Sequence, residues 1–375
     1  MGLNSLIGAI VRAPLRISRD LAVLAQVGPQ MVLRRGRPCV VLFPNYDKDG
    51  AALLRIYNVA DGLAGRGWRV CVFPPKLTLR QRQRWLSYVQ PDVIVMQGSR
   101  HALNRPSYYP GFKIVYDIDD ADFHLPHLTA AVQEAMPQVR TVMAGSEYIA
   151  NWCRGAGAQD VRVVWTGAPV SKMRQPQTGR PAVVAWAQTK PTTYKQEAEL
   201  VARTMAGVAA RQPGVTLRLF DRQEGDDPRF IDMFRAPGLD VEWLPKMPYS
   251  DFLKALDDVA VGLAPLCPET EFSRGKSFGK VLAYMDRMVP VVASDEGEPA
   301  QVFTPQTGGL CKDERDWVDT TVRFLQSEAA REAAAAAAYE VFQQHLTTEA
   351  AADRVAGLLD SIIRDAARGQ AQLSG

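Results

Sequence analysis

From Cys39 to Ala293 the chain alternates short apolar runs with amphipathic stretches. A run that is apolar at nearly every position must be covered on both faces, and helices flanking a parallel sheet do that. The pattern therefore predicts an α/β fold. Runs at 39–43, 69–73, 92–96, 113–117, 141–144 and 161–165 read as strands, with helices at 51–65 and 79–89. A second series follows, with strands at 182–186, 216–220, 241–244, 259–263 and 289–293 and helices at 195–210, 250–256 and 280–287. Between the two series, Pro169, Pro176, Gly179 and Pro181 interrupt a stretch with no periodicity, which reads as a linker.

At 375 residues the chain exceeds one ordinary domain. The reading is a basic amphipathic segment at 1–36, a first Rossmann-like domain at 37–170, a linker at 171–181, a second Rossmann-like domain at 182–340, and a C-terminal helix and tail at 341–375. Two such domains are expected to face each other across a cleft, with ligands outside the carboxyl ends of the strands. The alanine run at 333–338 reads as helix propensity.

Charge narrows the function. The 44 basic and 41 acidic residues are too evenly balanced for a nucleic-acid footprint, so no nucleic-acid partner is expected. Cys39, Cys71, Cys153, Cys267 and Cys311 have no CxxC spacing and the histidines do not cluster with them, so no metal site is expected. Reduced thiols, the absence of a secretory leader and the lack of a long apolar run point to the cytoplasm. Leu6 occupies the place where myristoylation needs Ser or Thr. Leu3, Leu6, Ile7, Ile10 and Val11, then Ile17, Leu21 and Leu24, nevertheless lie at helical spacing among Arg12, Arg16 and Arg19, with Arg34, Arg35 and Arg37 beyond. This segment is either a membrane-surface helix, which would make the protein peripheral on the inner face of the cell membrane, or a helix packed on the protein's own surface.

The richest motif is Glu271-Phe272-Ser273-Arg274-Gly275-Lys276-Ser277-Phe278-Gly279-Lys280, a polar loop leading into a helix. Gly275 and Gly279 permit close backbone approach, and a helix start offers N–H groups with partial positive charge. Were the helix to begin near Lys276, Lys276 and Lys280 would share a face beside Ser277, a set suited to a diphosphate. The competing reading is a basic helix start in solvent.

These residues carry a resemblance. Asp258 to Leu266, Phe272, Lys276-Ser277, Lys280, Tyr284 and Val289 to Ser294 resemble the donor-domain signature of bacterial GT-B glycosyltransferases related to families 1 and 4. Tyr116 to Asp120, Ala144 to Tyr148 and Val161 to Gly167 are similar to first-domain segments of that group, so the resemblance spans about residues 39–360. It implies transfer of a sugar from a UDP- or GDP-sugar to a glycan, lipid-linked or other acceptor, as in polysaccharide biosynthesis, with retention, without metal and without a cofactor. On this reading Arg274, Lys276, Ser277, Phe278, Gly279, Tyr284, Gln188 and Lys195 bind the donor, and Lys280 stabilises the leaving diphosphate. The chain departs from the pattern at Ala283, where an acidic residue is expected to contact the ribose, and at Met288, where Gly is usual. Gln188 and Lys195 occupy the region of an absent GR…KG pair.

On the first-domain side, Asp117, Asp119 and Asp120 end a strand. They suit acceptor hydrogen bonding, with Asp119 the best single catalytic carboxylate, though capping and turn roles for Asp119 and Asp120 compete. His124 and His127 follow as a candidate base or as incidental loop residues. Asn45 to Gly50 joins the first strand to the first helix, and Asn45 and Gly50 are expected on the acceptor side. This loop has a single Gly and no GxGxxG, which disfavours a dinucleotide oxidoreductase. A non-catalytic GT-B protein that binds a nucleotide-sugar or a partner subunit is the alternative suggested by Ala283 and Met288.

Overall fold

The computed structural model describes residues 17–25, 28, 36–172, 176–267 and 271–373, the side chains of Lys280 and of residues 367 and 369–373 excepted. Leu3 to Val11, Arg12, Arg16, Arg34 and Arg35 lie outside the described residues. The chain forms two compact units, one comprising Met1–Gly167 with Thr348–Gly375 and the other Ala168–Thr347.

Unit one is built on β1 (Cys39–Phe43), β2 (Arg69–Val72), β3 (Val93–Gln97), β4 (Ile114–Ile118), β5 (Thr141–Ala144) and β6 (Asp160–Val163). They form one six-stranded sheet in the order β2-β1-β3-β4-β5-β6, every pair parallel. Every residue of β1, β3 and β5 is buried, as a doubly covered sheet requires. Helix α1 (residues 50–65) follows β1 and widens into a π-helical turn at Leu53–Tyr57. Helix α2 (Leu79–Val89) opens on a capping box in which the Thr78 side chain and Gln81 satisfy each other's backbone groups. Further along are α3 (Pro126–Ala135) and α4 (Glu147–Gly155), the latter capped by Ser146.

The C-terminal helix, Thr348–Leu373, belongs to unit one and not to a separate tail beginning at 341. Its Val355 and Leu359 join Val40, Val95, Ile56 and Leu63 in one core. Gly62 allows the approach, since a Cβ there would lie 2.5 Å from that of Ala352.

Unit two carries β7 (Val183–Trp186), β8 (Val215–Arg222), β9 (Leu239–Pro245), β10 (Val261–Ala264), β11 (Val291–Ser294) and β12 (Gly309–Cys311). Its parallel sheet runs β12-β11-β10-β7-β8-β9. Counted from β7 this is the Rossmann order, whose reversal falls between β7 and β10. Helix α5 (Lys195–Arg211) packs Ala198, Val201 and Met205 on Val184, Leu217 and Leu263, joined by Trp317 and Val322 of the helix Glu314–Gln326. The helix α6 (Gly279–Asp286) leads into β11.

The segment expected as a linker is bound into unit two. The Ser171 backbone N–H donates to Asp286 at 2.8 Å. Gln177 is fully buried, its amide donating to the Met288 carbonyl and accepting from Arg331 at 3.3 Å. Arg180 donates to the carbonyls of Val259 (2.6 Å) and Arg287 (3.0 Å). A proline-rich stretch without periodicity is thus held by side chains that satisfy backbone acceptors, which periodicity does not register. Met288, where the resemblance expects Gly, stands at φ 57°. A residue with a Cβ costs about 1–2 kcal/mol in that conformation.

Candidate functional site

At the reversal of unit two, the loops after β7 and β10 emerge side by side. Tyr284, fully buried on α6, bonds the end of β7, its hydroxyl donating to the Ala185 carbonyl at 2.9 Å and accepting the Ala187 N–H at 2.8 Å, and it also lies 3.5 Å from the Leu263 carbonyl of β10. Gly262 on β10 leaves room for the ring, because a Cβ there would come within 2.8 Å of it. Ser294, at the end of β11, accepts the Leu266 N–H at 2.9 Å and donates to the Leu266 carbonyl at 3.0 Å, fixing the start of the β10 loop. On the short helix Glu271–Arg274, buried Ser273 donates to Glu197 of α5 at 2.8 Å. The Lys276 ammonium lies 3.6 Å from the centroid of the Tyr194 ring, a cation–π contact between the two loops.

Helix α6 begins at Gly279 with Phe278 as its N-cap residue, so Lys276 and Ser277 precede the first turn and do not share a helical face with Lys280. Gly279 makes the turn at φ 25°. The first turn of α6 contains no acidic residue, leaving the partial positive charge of the helix start uncompensated by its own side chains. Lys280 is the second residue of α6, and its side chain lies outside the described residues.

The remaining expected donor residues separate into two sets. Half-buried Gln188 lies in the β7 loop, its amide donating to the Thr189 carbonyl at 3.0 Å. Arg274 is exposed. Lys195, 82% exposed, pairs with Glu199 at 4.0 Å on the first turn of α5. Tyr284 and Phe278, expected to touch the donor, are instead buried in the core, where they hold the loops in place. Ala283 is buried as well.

At the carboxyl edge of unit one the arrangement is ionic. Arg55 sits in the π-helical turn of α1, a local widening often found at functional sites. Its guanidinium forms a bidentate, fully buried ion pair with Asp117, donates to the Val164 carbonyl at 2.8 Å and to Thr166 Oγ1 at 3.0 Å, and lies 3.3 Å from Asp119. The Thr166 hydroxyl in turn donates a hydrogen bond to Asp119 at 2.8 Å. Gly145 makes space for this carboxylate, since a Cβ would stand 2.7 Å from Asp119 Oδ1. Burial pulls the Arg55 guanidinium down, but Asp117 and Asp119 outweigh it and hold it above its ordinary value. Burial pushes the Asp117 carboxyl up, against the opposing pull of Arg55.

Arg100, from the loop after β3, pairs with Asp120 at 2.6 Å and Asp122 at 2.7 Å. Ser99 adds a hydrogen bond to Asp122 at 2.6 Å. His124 is 2.9 Å from the Tyr148 hydroxyl beside the stacked pair Phe123–Trp152, and His127 is exposed. Two acceptor-side expectations are corrected by burial. Asp117 is consumed by Arg55, and Asn45, also buried, donates to the Gly98 carbonyl at 2.6 Å and accepts the His101 N–H at 3.1 Å. Gly50 starts α1 at φ 49° and is surrounded by open space.

The same loop holds His101 in a single tautomer. Its Nδ1 accepts the Leu103 N–H at 3.0 Å, so Nε2 carries the proton toward the Pro75 carbonyl at 3.1 Å. Burial pushes the imidazole below its ordinary range, and Arg82 adds to the effect.

Arg55, Arg100, Thr166, Tyr194 and Glu197 were not identified from the sequence. Arg55 had a legible trace: a lone cation among Ala51, Leu53, Leu54 and Ile56 on an apolar helix face calls for a buried anion. The others are united by tertiary contacts alone. Among the described residues no group of His, Cys, Asp and Glu has the make-up of a metal site, and no helix is long and apolar enough to cross a membrane.

No family model and no curated protein matches the sequence. Solved structures match over nearly the whole chain. Sucrose-phosphate synthase from Thermosynechococcus elongatus aligns with a TM-score of 0.69 and 12% identity, over 88% of this chain and all (100%) of its own. Anabaena HepE, in complex with UDP and glucose, aligns at 0.62 with 15% identity, over 87% and 100%. AviGT4, a glycosyltransferase involved in avilamycin A biosynthesis, aligns at 0.58 with 18% identity, over 88% and 99%. The two six-stranded parallel units therefore have the GT-B fold expected from the sequence.

Proposed function

We propose that the protein is a glycosyltransferase that moves a sugar from a UDP- or GDP-sugar to a glycan, lipid-linked or other acceptor, with retention and without metal. The observation that carries this reading is the Lys276–Tyr194 contact, which joins the two loops at the strand-order reversal of unit two immediately before the α6 helix start. Folds of this kind take phosphorylated ligands at that point. The HepE structure, with UDP and glucose bound, supports the same class of donor.

Transfer breaks the anomeric C–O bond to the diphosphate as the acceptor oxygen forms the new glycosidic bond; negative charge develops on the departing diphosphate, which takes up the acceptor's proton. Lys276, Ser277, Lys280 and the α6 N–H groups stabilise that charge, an interaction that strengthens as water is excluded. Arg274, Lys195 and Gln188 supply the surrounding donor contacts. Asp119, oriented by Thr166 and Arg55, accepts a hydrogen bond from the acceptor hydroxyl, and Asp120 lies next to it on the strand end. The enzyme works in the cytoplasm, peripheral to the inner face of the membrane.

The experiment is a nucleotide-sugar screen by thermal shift followed by turnover. UDP- or GDP-sugars are expected to raise Tm where NAD(P) does not, and the stabilising sugar is expected to be transferred or slowly hydrolysed. Full activity in both Lys276→Ala and Lys280→Ala would overturn the site. Buried Ala283 favours a second reading, a GT-B protein that binds the nucleotide-sugar without turning it over. Stabilisation without any transfer or hydrolysis would select it.

A further inference from the structure

We infer that unit one docks on an anionic lipid surface through the face formed by residues 17–25 and helix α2. This rests on the peripheral placement proposed above and names the surface and the lipid that it meets.

Residues 17–25 are helical, and their orientation is fixed from one side. Val23 is fully buried. Asp20 accepts the Trp85 indole N–H at 2.8 Å and the Gln81 amide at 3.1 Å, and it pairs with Arg84 at 2.6 Å. With Asp20 tied to α2 and Val23 buried, the adjoining stripe of the helix remains exposed. Ile17, Leu21 and Leu24, at i, i+4 and i+7, are 60%, 57% and 46% exposed. Three large aliphatic side chains in one helical stripe form a contiguous apolar face, unlike scattered surface leucines.

The neighbouring surface selects the occupant. Tyr88, 58% exposed on α2, packs edge-on against Trp85 with centroids 5.8 Å apart, and Tyr and Trp favour the boundary between water and hydrocarbon. Helix α2 contains no acidic residue and exposes Arg80, while its Arg84 is paired with Asp20. Before β1 the sequence has Arg12, Arg16, Arg19, Arg34, Arg35 and Arg37 against Asp20 alone, and Asp20 is already neutralised by Arg84. An apolar stripe near amphipathic aromatics and exposed Arg80, in a segment whose sequence holds six arginines against one aspartate, complements anionic headgroups over an acyl layer.

The test is co-sedimentation of the full chain, without nucleotide-sugar, with vesicles of phosphatidylcholine alone or mixed with phosphatidylglycerol. Binding is expected only to the phosphatidylglycerol vesicles and should weaken as salt is raised. Leu21→Glu should lower the partition coefficient by about tenfold or more, with Tm unchanged because the side chain is exposed. Arg80→Glu should weaken binding less, and its effect should vanish at high salt. No binding, equal binding to both vesicles, or unaltered binding by Leu21→Glu would overturn the inference. So would a dimer in solution that Leu21→Glu dissociates and that does not bind vesicles. Because no donor is present, failure here leaves the nucleotide thermal shift, and the catalytic reading it tests, unaffected.

Discussion

The carboxyl edges of the two sheets are built on the same parallel architecture but with different chemistry. In unit one, Arg55 and Arg100 face Asp117, Asp119, Asp120 and Asp122, two cations against four carboxylates, so both arginines are held in ion pairs and the edge is acidic. In unit two, the hydroxyls of Tyr284 and Ser294 tie the strand ends and the β10 loop, and Lys276 lies on an uncharged ring beside a helix start with no acidic residue. An acidic edge whose carboxylates are oriented by two arginines offers hydrogen-bond acceptors to an uncharged hydroxyl. An edge whose strand ends are tied by hydroxyls sets a lysine and a helix start beside each other, where an anion can be met. In the proposed reaction these are the demands of a sugar acceptor and of a departing diphosphate.

Removing single groups tests that contrast. Arg55→Met should have the largest effect, leaving Asp117 buried without its counter-ion and costing about 3–5 kcal/mol of stability, read as a fall in denaturation midpoint; a loss below about 1 kcal/mol would mean that the edge is not organised by this ion. Lys276→Ala should do the reverse, lowering kcat by roughly a hundredfold with little change in Tm. Were stability and activity to fall together, the lysine would be a structural tie like its counterparts in unit one.

Tyr284→Phe should cost about 1–3 kcal/mol, because the Ala187 N–H loses its acceptor in a buried site. Donor affinity in that variant should fall only through loosened loops, so ligand soaking should still place the diphosphate at α6. The smallest effect concerns His101. Its folded pKa lies below the unfolded value, so the unfolded chain binds more protons and the contribution to stability is present above the ordinary histidine pKa and lost on acidification. Tm should therefore drop between pH 7.5 and 5.5 more steeply in the wild type than in His101→Gln; parallel curves would exclude the histidine as the cause.

Much of this molecule was legible before folding was considered. The strands read at 39–43 and 141–144 and the helix read at 79–89 coincide with β1, β5 and α2. The loop at 271–280 was recognised because glycines, lysines and a following helix leave a local trace. The helix read at 280–287 lies within one residue of α6, whereas the alternative start near Lys276 does not hold, because the chain turns at Gly279 before the helix begins. Asn45, Asp117, Phe278 and Tyr284 were chosen for their chemistry, yet their burial depends on neighbours far along the chain.

The sequence by itself determined that there are two α/β series and where the cationic loop lies, since apolar periodicity and turn chemistry are properties of a few consecutive residues. Tertiary structure decided the rest: the Rossmann order that sets the β7 and β10 loops together, the return of residues 348–373 to unit one, and the pairing of Arg55 with Asp117 across 62 positions. These are pairings between distant segments, selected by what each buried group needs as a partner, and no local pattern encodes which distant group will supply it.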